Sequence, residues 1–166
     1  MLFRSSEAQS IVSYAFALEG MTAEEEAVME NLADVLNMES SPLVKKTNER
    51  LPAAQVGAAL LCADGTVYQG CNIENASYSP TVCAERTAFF KAVYDGHRDF
   101  AAIAVCGGKD GVITGAFPPC GVCRQVMREF CGDDFLIYMI TPEGCEAHTL
   151  AEILPFSFSE IGRAHV

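Results

Sequence analysis

Four side chains that could together bind a metal and move protons stand at the heads of two helix-like segments. Cys83 and Glu85 lie two positions apart at the start of one segment. Cys120 and Cys123 form a CxxC pair at the start of the other. Free amide groups and the positive dipole end of a helix N-terminus favour thiolate over thiol. We therefore expect both cysteine clusters to be anionic.

Three thiolates can hold zinc, yet they leave one of its four tetrahedral positions open, whereas a structural site takes four protein ligands. The sequence thus predicts one catalytic zinc per chain, held by Cys83, Cys120 and Cys123. Zinc lowers the pKa of a bound water from about 15.7 to about 7. Because three thiolates outweigh the double charge of zinc, we expect a compensating cation, and Arg86 is the candidate.

Glu85 lies close to the predicted metal without being a ligand, which suits a role in proton transfer. It can take a proton from the attacking water, pass it to a ring nitrogen of a base and later protonate departing ammonia. The attacked atom is the ring carbon that carries the amino group. Taken alone, however, an acidic residue in a first helical turn needs no function, because the helix dipole favours it.

The CxxC pair taken alone has a second interpretation, a thioredoxin-like redox pair. A redox pair has no use for a third thiol and its carboxylate, so the four residues together favour zinc, with a purely structural zinc as the alternative. The other five cysteines lie among apolar residues, where a thiol acts as a small hydrophobe, and we expect them to be structural. They are Cys62, Cys71, Cys106, Cys131 and Cys145.

Charge and composition narrow the class of ligand. The 166 residues carry a formal net charge of -11 with no basic stripe to offset it, so we expect a small molecule and no nucleic acid. No apolar run approaches the roughly 18 residues of a membrane helix, so no membrane partner is expected. Residues 11–18 weakly resemble a signal peptide, but the polar residues Glu7 and Gln9 directly precede them. We therefore expect a cytoplasmic protein.

The elements that must position these side chains follow from turn residues and apolar periodicity. Thr22 and Glu25 form a capping box before an amphipathic helical pattern, and a loop-like stretch follows. We expect residues 1–51 to be a helical extension and loop packed on a catalytic domain at 52–166. In that domain the pattern predicts strands at 56–62, 66–71, 101–106 and 135–140, and helices at 84–95, 120–130 and 149–154.

This order of elements predicts an α/β fold, a three-layer αβα sandwich whose mixed, mostly five-stranded sheet has helices on both faces. Within it, four runs resemble the cytidine deaminase family in its small form, which acts on free nucleosides. They stand in family order and at family spacing within residues 52–160. The runs are Val56–Leu60, Gly70–Tyr78, Cys83–Ala88 and Pro119–Gln125.

The resemblance implies a cytidine deaminase-like fold, three zinc thiolates, a proton-shuttling Glu85 and an Arg86 that supports the cysteine ligands. The activity it implies is hydrolytic deamination of cytidine and deoxycytidine in pyrimidine salvage. It also implies that Asn72 and Glu74 grip the ribose hydroxyls and that Ala84 contacts the substrate. An amide and a carboxylate two apart at a strand end do share a face, although without the family a polar turn explains them equally well.

The family also forms homotetramers in which a phenylalanine near the C-terminus reaches a neighbour's active site, and Phe158 stands in the matching place. That phenylalanine could equally pack on its own domain. Relatives that edit polynucleotides usually have histidine at the position of Cys83. A cysteine at this position therefore favours a small nucleoside as the substrate.

Two departures from the family bear on the substrate. Ala54, with Gln55 after it, stands where an aromatic usually packs on the base, and Pro118 replaces a serine. These departures leave open a modified cytosine nucleoside of the blasticidin type. A non-catalytic zinc domain that binds nucleosides is the alternative from another class.

Overall fold

A mixed sheet flanked by three helices makes up residues 55–109 and 112–158, the part of the chain that the computed structural model describes. The predicted extension at 1–51 and Ala54 lie outside these residues. In chain order the elements are β1 (Gln55–Cys62), β2 (Val67–Cys71), α1 (Ala84–Tyr94), β3 (Phe100–Lys109), β4 (Val112–Ile113), α2 (Gly121–Phe130), β5 (Leu136–Thr141), β6 (Gly144–Thr149) and α3 (Leu150–Ile153).

The strand order is β2-β1-β3-β5-β6, and the short β4 pairs with β3 off this path. Only the β3–β5 pair is parallel among the described strands. A parallel pair needs a long crossover connection, and α2 lies in the segment that joins β3 to β5. The prediction of an α/β fold with a mixed sheet is confirmed.

Two strands were not predicted. β6 pairs with β5 along its whole length, from Thr149 opposite Leu136 to Gly144 opposite Thr141. Its side chains are all half-buried or exposed, as an edge strand allows, so it lacks the apolar alternation by which strands are recognised. β4 has only two residues, too few for any pattern.

The two faces of the sheet carry separate apolar clusters. Ala58 and Leu60 of β1 pack with α1, α2 and α3, whereas Ala59 and Leu61 point to the opposite face, as the two-residue period of a strand requires. The three described helices thus lie on one face. The remaining predicted helix, which begins at Thr22, lies outside the described residues.

All eight cysteines lie in the described residues, and none forms a disulfide. None of the described helices is both long enough and apolar enough to cross a membrane.

Gly70 of β2 sets how closely the sheet approaches α1. A Cβ atom there would lie 2.2 Å from the carbonyl oxygen of Ala84 and 2.6 Å from the backbone nitrogen of Ala88. We expect Gly70→Ala to lower the free energy of unfolding by about 1–3 kcal/mol, because backbone atoms cannot move aside cheaply. Urea denaturation measures this. Gly121→Ala is the control, since its Cβ meets no atom within 4 Å, and equal losses in both variants would contradict the expectation.

Candidate active site

Helices α1 and α2 both begin directly after a cysteine. Cys83 is the N-cap of α1 and Cys120 the N-cap of α2, each in an extended conformation and neither making a side-chain capping hydrogen bond. Their thiols are therefore not used to cap the helices. The two helix heads lie side by side, which brings Cys83, Cys120 and Cys123 together.

The spacing of the three sulfurs fits one zinc ion. Cys83 Sγ lies 3.7 Å from Cys120 Sγ, and Cys120 Sγ lies 3.5 Å from Cys123 Sγ. All three sulfurs lie within 4.8 Å of one another. Tetrahedral zinc with bonds of about 2.3 Å separates its sulfur ligands by roughly 3.8 Å. The donor set thus matches zinc in both chemistry and spacing.

The three thiols differ in acidity. Burial acts to raise the pKa of Cys120, but hydrogen bonds from the backbone of Cys123 and Val122 and from the neighbouring thiols bring it below its ordinary value. Burial raises the pKa of Cys83 and, more strongly, that of Cys123. Without a cation among the sulfurs, these directions favour the thiolate at Cys120 and the thiol at Cys83 and Cys123. A cation among the sulfurs would hold all three as thiolates.

Glu85 is a buried acid beside these sulfurs, with only 4% of the residue exposed. Burial raises the pKa of its carboxyl group, and hydrogen bonds from its own backbone and from Cys123 offset part of that rise. A carboxyl group with a raised pKa can take up a proton and release it again at a mild cost in free energy.

Arg86 places a positive charge on the other side of the cysteines. Its Nη2 atom donates a hydrogen bond to the carbonyl oxygen of Thr81 at 2.9 Å and lies 3.8 Å from Cys83 Sγ. This is the position that a cation needs in order to offset the charge of the thiolates.

Asn72 and Glu74 follow β2 and point the same way. The Asn72 side-chain oxygen accepts a hydrogen bond from the Val56 backbone at 2.9 Å, and its nitrogen donates to Glu74 Oε1, also at 2.9 Å. Asn72 is 8% exposed, so β1 holds it in one orientation. A carboxylate has several acceptor positions, so Glu74 can hold Asn72 and still accept a ligand hydroxyl.

These side chains line one cleft with a cavity volume of about 260 Å³. That volume lies just under the roughly 300 Å³ at the lower end of small-molecule sites. The cleft brings together Cys83, Cys120, Glu85, Asn72 and Glu74, five of the predicted site residues. Its other lining residues, which the sequence reasoning did not assign to a site role, are Val56, Thr81, Phe117 and Pro118.

Phe117 is the functional candidate that the sequence reasoning missed. It lies in the loop before α2, and its ring packs on the bare backbone of Gly107, where a Cβ atom would come within 2.4 Å of the ring. A glycine inside a strand often marks such a close approach. Gly107 in β3 was therefore the available signal.

The side chains of two predicted substrate contacts, Ala84 and Phe158, do not line the cleft. Ala84 is fully buried in the core, so only its backbone at the first turn of α1 is left to contact a ligand. Phe158 does not line the cleft of its own chain. Its side chain is exposed, and its backbone oxygen accepts a hydrogen bond from Gln125 Nε2 at 3.0 Å.

Sequence comparison identifies the family. Residues 33–139 match the cytidine and deoxycytidylate deaminase zinc-binding region. A cytidine deaminase of Sporosarcina psychrophila is 54% identical over 106 residues, which are 63% of this chain and 75% of that protein. A cytidine deaminase of Halalkalibacterium halodurans is 51% identical over 106 residues, 63% of this chain and 77% of that protein.

Structure comparison gives the same result. The crystal structure of cytidine deaminase from Burkholderia pseudomallei superposes with a TM-score of 0.59 and 40% identity, covering 69% of this chain and 92% of that one. Together with these matches, the fold and the site define a zinc-dependent deaminase with a mixed α/β architecture. The chain belongs to the cytidine and deoxycytidylate deaminase family.

Proposed function

We propose that this chain catalyses the hydrolytic deamination of cytidine and deoxycytidine, which gives uridine or deoxyuridine and ammonia. The observation that carries the proposal is a set of three sulfurs within 4.8 Å of one another, next to the buried carboxyl group of Glu85, in a nucleoside-sized cleft. The named relatives favour cytidine over a blasticidin-type nucleoside and over a non-catalytic role. We place the reaction in cytoplasmic pyrimidine salvage.

Each residue has a distinct part in the proposed mechanism. Cys83, Cys120 and Cys123 would hold zinc, which when bound supplies the acidity that makes water a nucleophile at neutral pH. Glu85 takes a proton from the attacking water and gives it to the ring nitrogen beside the amine-bearing carbon. It then takes a second proton from the hydroxyl group that the attack leaves on this carbon and gives it to the departing amine. The amine leaves as ammonia, and the carbon keeps the oxygen as a carbonyl group. Arg86 offsets the negative charge of the thiolates.

The proposed contact between Glu74 and the ribose predicts that a variant at this position discriminates less between cytidine and its 3′-deoxy analogue. In the parent protein, Glu74 accepts a hydrogen bond from a ribose hydroxyl, and such a charged hydrogen bond contributes about 1.5–3 kcal/mol. We expect Glu74→Gln to raise KM for cytidine about tenfold or more. Steady-state kinetics with cytidine and with its 3′-deoxy analogue provide the measurement. The variant should discriminate less between the two, and unchanged discrimination would contradict the ribose role.

We further propose that Phe117 and Val56 form the apolar wall against the base. They take the place of the aromatic side chain that the family usually has at the position of Ala54. Stacking of a base on an aromatic ring contributes about 1–3 kcal/mol. Phe117→Ala should therefore raise KM for cytidine about tenfold while zinc content stays the same. Phe130→Ala is the control, because this half-buried phenylalanine of α2 also packs against the core but does not line the cleft. Equal KM values in the two variants would contradict this assignment.

We also propose a homotetramer in which Phe158 reaches a neighbour's cleft. The support is a set of large apolar side chains that the chain leaves exposed, which is typical of an interface. They include Tyr78, Tyr94, Phe156 and Phe158. Sedimentation velocity gives the mass, and a monomer that retains full activity would contradict the proposal.

The division of the chain is a proposal as well. We propose that residues 1–51 are a helical extension and loop that packs on a catalytic domain at 52–166. Ala59, Ala104 and Cys106 on one face of the sheet are fully buried, although all three described helices lie on the other face.

The proposed activity is tested by an ammonia-release assay on a panel of nucleosides, with zinc quantified on the same sample. We expect equimolar ammonia and uridine from cytidine, and equimolar ammonia and deoxyuridine from deoxycytidine. We expect no ammonia from adenosine, because its larger purine base does not fit a cleft of pyrimidine size. Tight binding of cytidine without ammonia release would contradict the proposal.

A further inference from the structure

A second group of metal-binding side chains lies far from the cleft. Cys62 ends β1, Asp64 lies in the turn that follows, and His97 stands just after α1. One ligand atom from each lies within 4.8 Å of the other two. Val56 at the start of β1 lines the cleft, and six strand residues span roughly 20 Å, so this group is separate from the candidate active site.

We propose that Cys62, Asp64 and His97 form a second site for a divalent transition metal such as zinc. His97 Nδ1 lies 3.6 Å from Asp64 Oδ2. This distance is too long for an N–H···O hydrogen bond of about 2.7–3.2 Å. Nitrogen and oxygen ligands on one tetrahedral zinc, with bonds of about 2.0–2.2 Å, are roughly 3.4 Å apart. The pair is thus spaced more like two ligands of one ion than like a hydrogen-bonded pair.

The surrounding structure holds each ligand in place. The backbone N–H of Cys62 donates to the Thr66 carbonyl oxygen at 2.8 Å. Asp64 Oδ1 accepts from the Thr66 backbone at 2.9 Å, which leaves Oδ2 facing His97. The His97 ring packs edge-on against Tyr68 with centroids 5.3 Å apart. The three ligand atoms are thus already close together. A metal ion bound by them would link the β1–β2 hairpin to the C-terminal end of α1.

The chemistry of the ligands selects the metal. A thiolate, an imidazole and a carboxylate suit zinc or cobalt, whereas magnesium and calcium prefer oxygen ligands alone. One thiolate and one carboxylate balance a double positive charge. Cys62 is a buried core residue with 2% exposure, so its sulfur is shielded from solvent.

Cobalt titration of the reduced protein, loaded beforehand with one equivalent of zinc that fills the three-cysteine site, tests the proposal. We expect one equivalent of Co²⁺ to bind, with a thiolate-to-cobalt absorption band and no release of zinc. Cys62→Ser should lose the band, and His97→Gln should weaken cobalt binding about tenfold or more. Cytidine deamination should be unchanged in both variants, because neither residue touches the cleft.

Cys145→Ser is the matched control, since this cysteine on the edge strand β6 lies outside the cluster, and it should keep the full band. His97→Gln alters a partly exposed side chain, so it remains informative if Cys62→Ser fails to fold. No thiolate band in the parent protein, or an unchanged band in Cys62→Ser, would overturn the proposal.

Discussion

Replacement of Glu85 by glutamine is expected to lower the turnover of cytidine about 10²–10⁴-fold while zinc content stays at the parent level. Glutamine has nearly the shape of glutamate, so the buried site keeps its packing. It cannot take a proton from water or carry one to the leaving amine. Steady-state kinetics and metal analysis on the same sample measure the two quantities.

The control for Glu85→Gln is Glu143→Gln, at an exposed residue in the turn between β5 and β6. It removes the same charge from the protein without touching the cleft, so its turnover should equal that of the parent. A Glu85→Gln variant that deaminates as fast as this control would show that another group moves the protons.

Replacement of Cys123 by serine is expected to abolish both zinc binding at the cysteine site and measurable deamination. Cys123 is 1% exposed, and a serine hydroxyl cannot replace a thiolate as a zinc ligand. The buried hydroxyl also lowers the free energy of unfolding by about 1–3 kcal/mol. Metal analysis, an ammonia assay and urea denaturation together measure the outcome.

Cys131→Ser separates the loss of zinc from the loss of stability. Cys131 caps the C-terminus of the same helix α2 and packs against the same core, yet its sulfur is not one of the three that lie together. This variant should lose stability but keep zinc and activity. If Cys123→Ser kept zinc and turnover as Cys131→Ser is expected to, the assignment of Cys123 as a ligand would be wrong.

The sequence predicted most of the sheet and its helices because local signals agreed with the final packing. Asp64 and Gly65 mark the hairpin turn, and Gly65 does adopt the left-handed conformation, with φ of 87°. The apolar run of β3 is buried, as expected for a central strand. The helix predicted at 149–154 is present as α3, and a capping box formed by Thr149 and Glu152 begins it.

Other features needed the assembled structure. β6 is an edge strand whose polar residues carry no apolar alternation. Phe117 lies in a loop, and only the pairing of β3 with its neighbours shows that the loop returns over Gly107. The pKa of Cys83 depends on how deeply the assembled helices bury it, and the helix dipole alone predicts the opposite direction.

The candidate zinc site could be predicted from residue types because its four side chains fall at two helix heads. The cluster of Cys62, Asp64 and His97 could not be predicted in this way. His97 is 33 residues beyond Asp64 in the chain, and only the return of α1 along β1 and β2 brings it to the hairpin turn. Long-range contacts of this kind leave no local pattern.

Zinc dependence of ammonia release is the most direct measurement of the central claim. The reduced parent protein is stripped with a chelator, assayed with cytidine, reloaded with zinc and assayed again. Our account predicts that deamination disappears with the metal and returns when zinc is restored. Deamination at the parent rate by protein shown to be free of metal would contradict it, as would zinc-loaded protein that releases no ammonia.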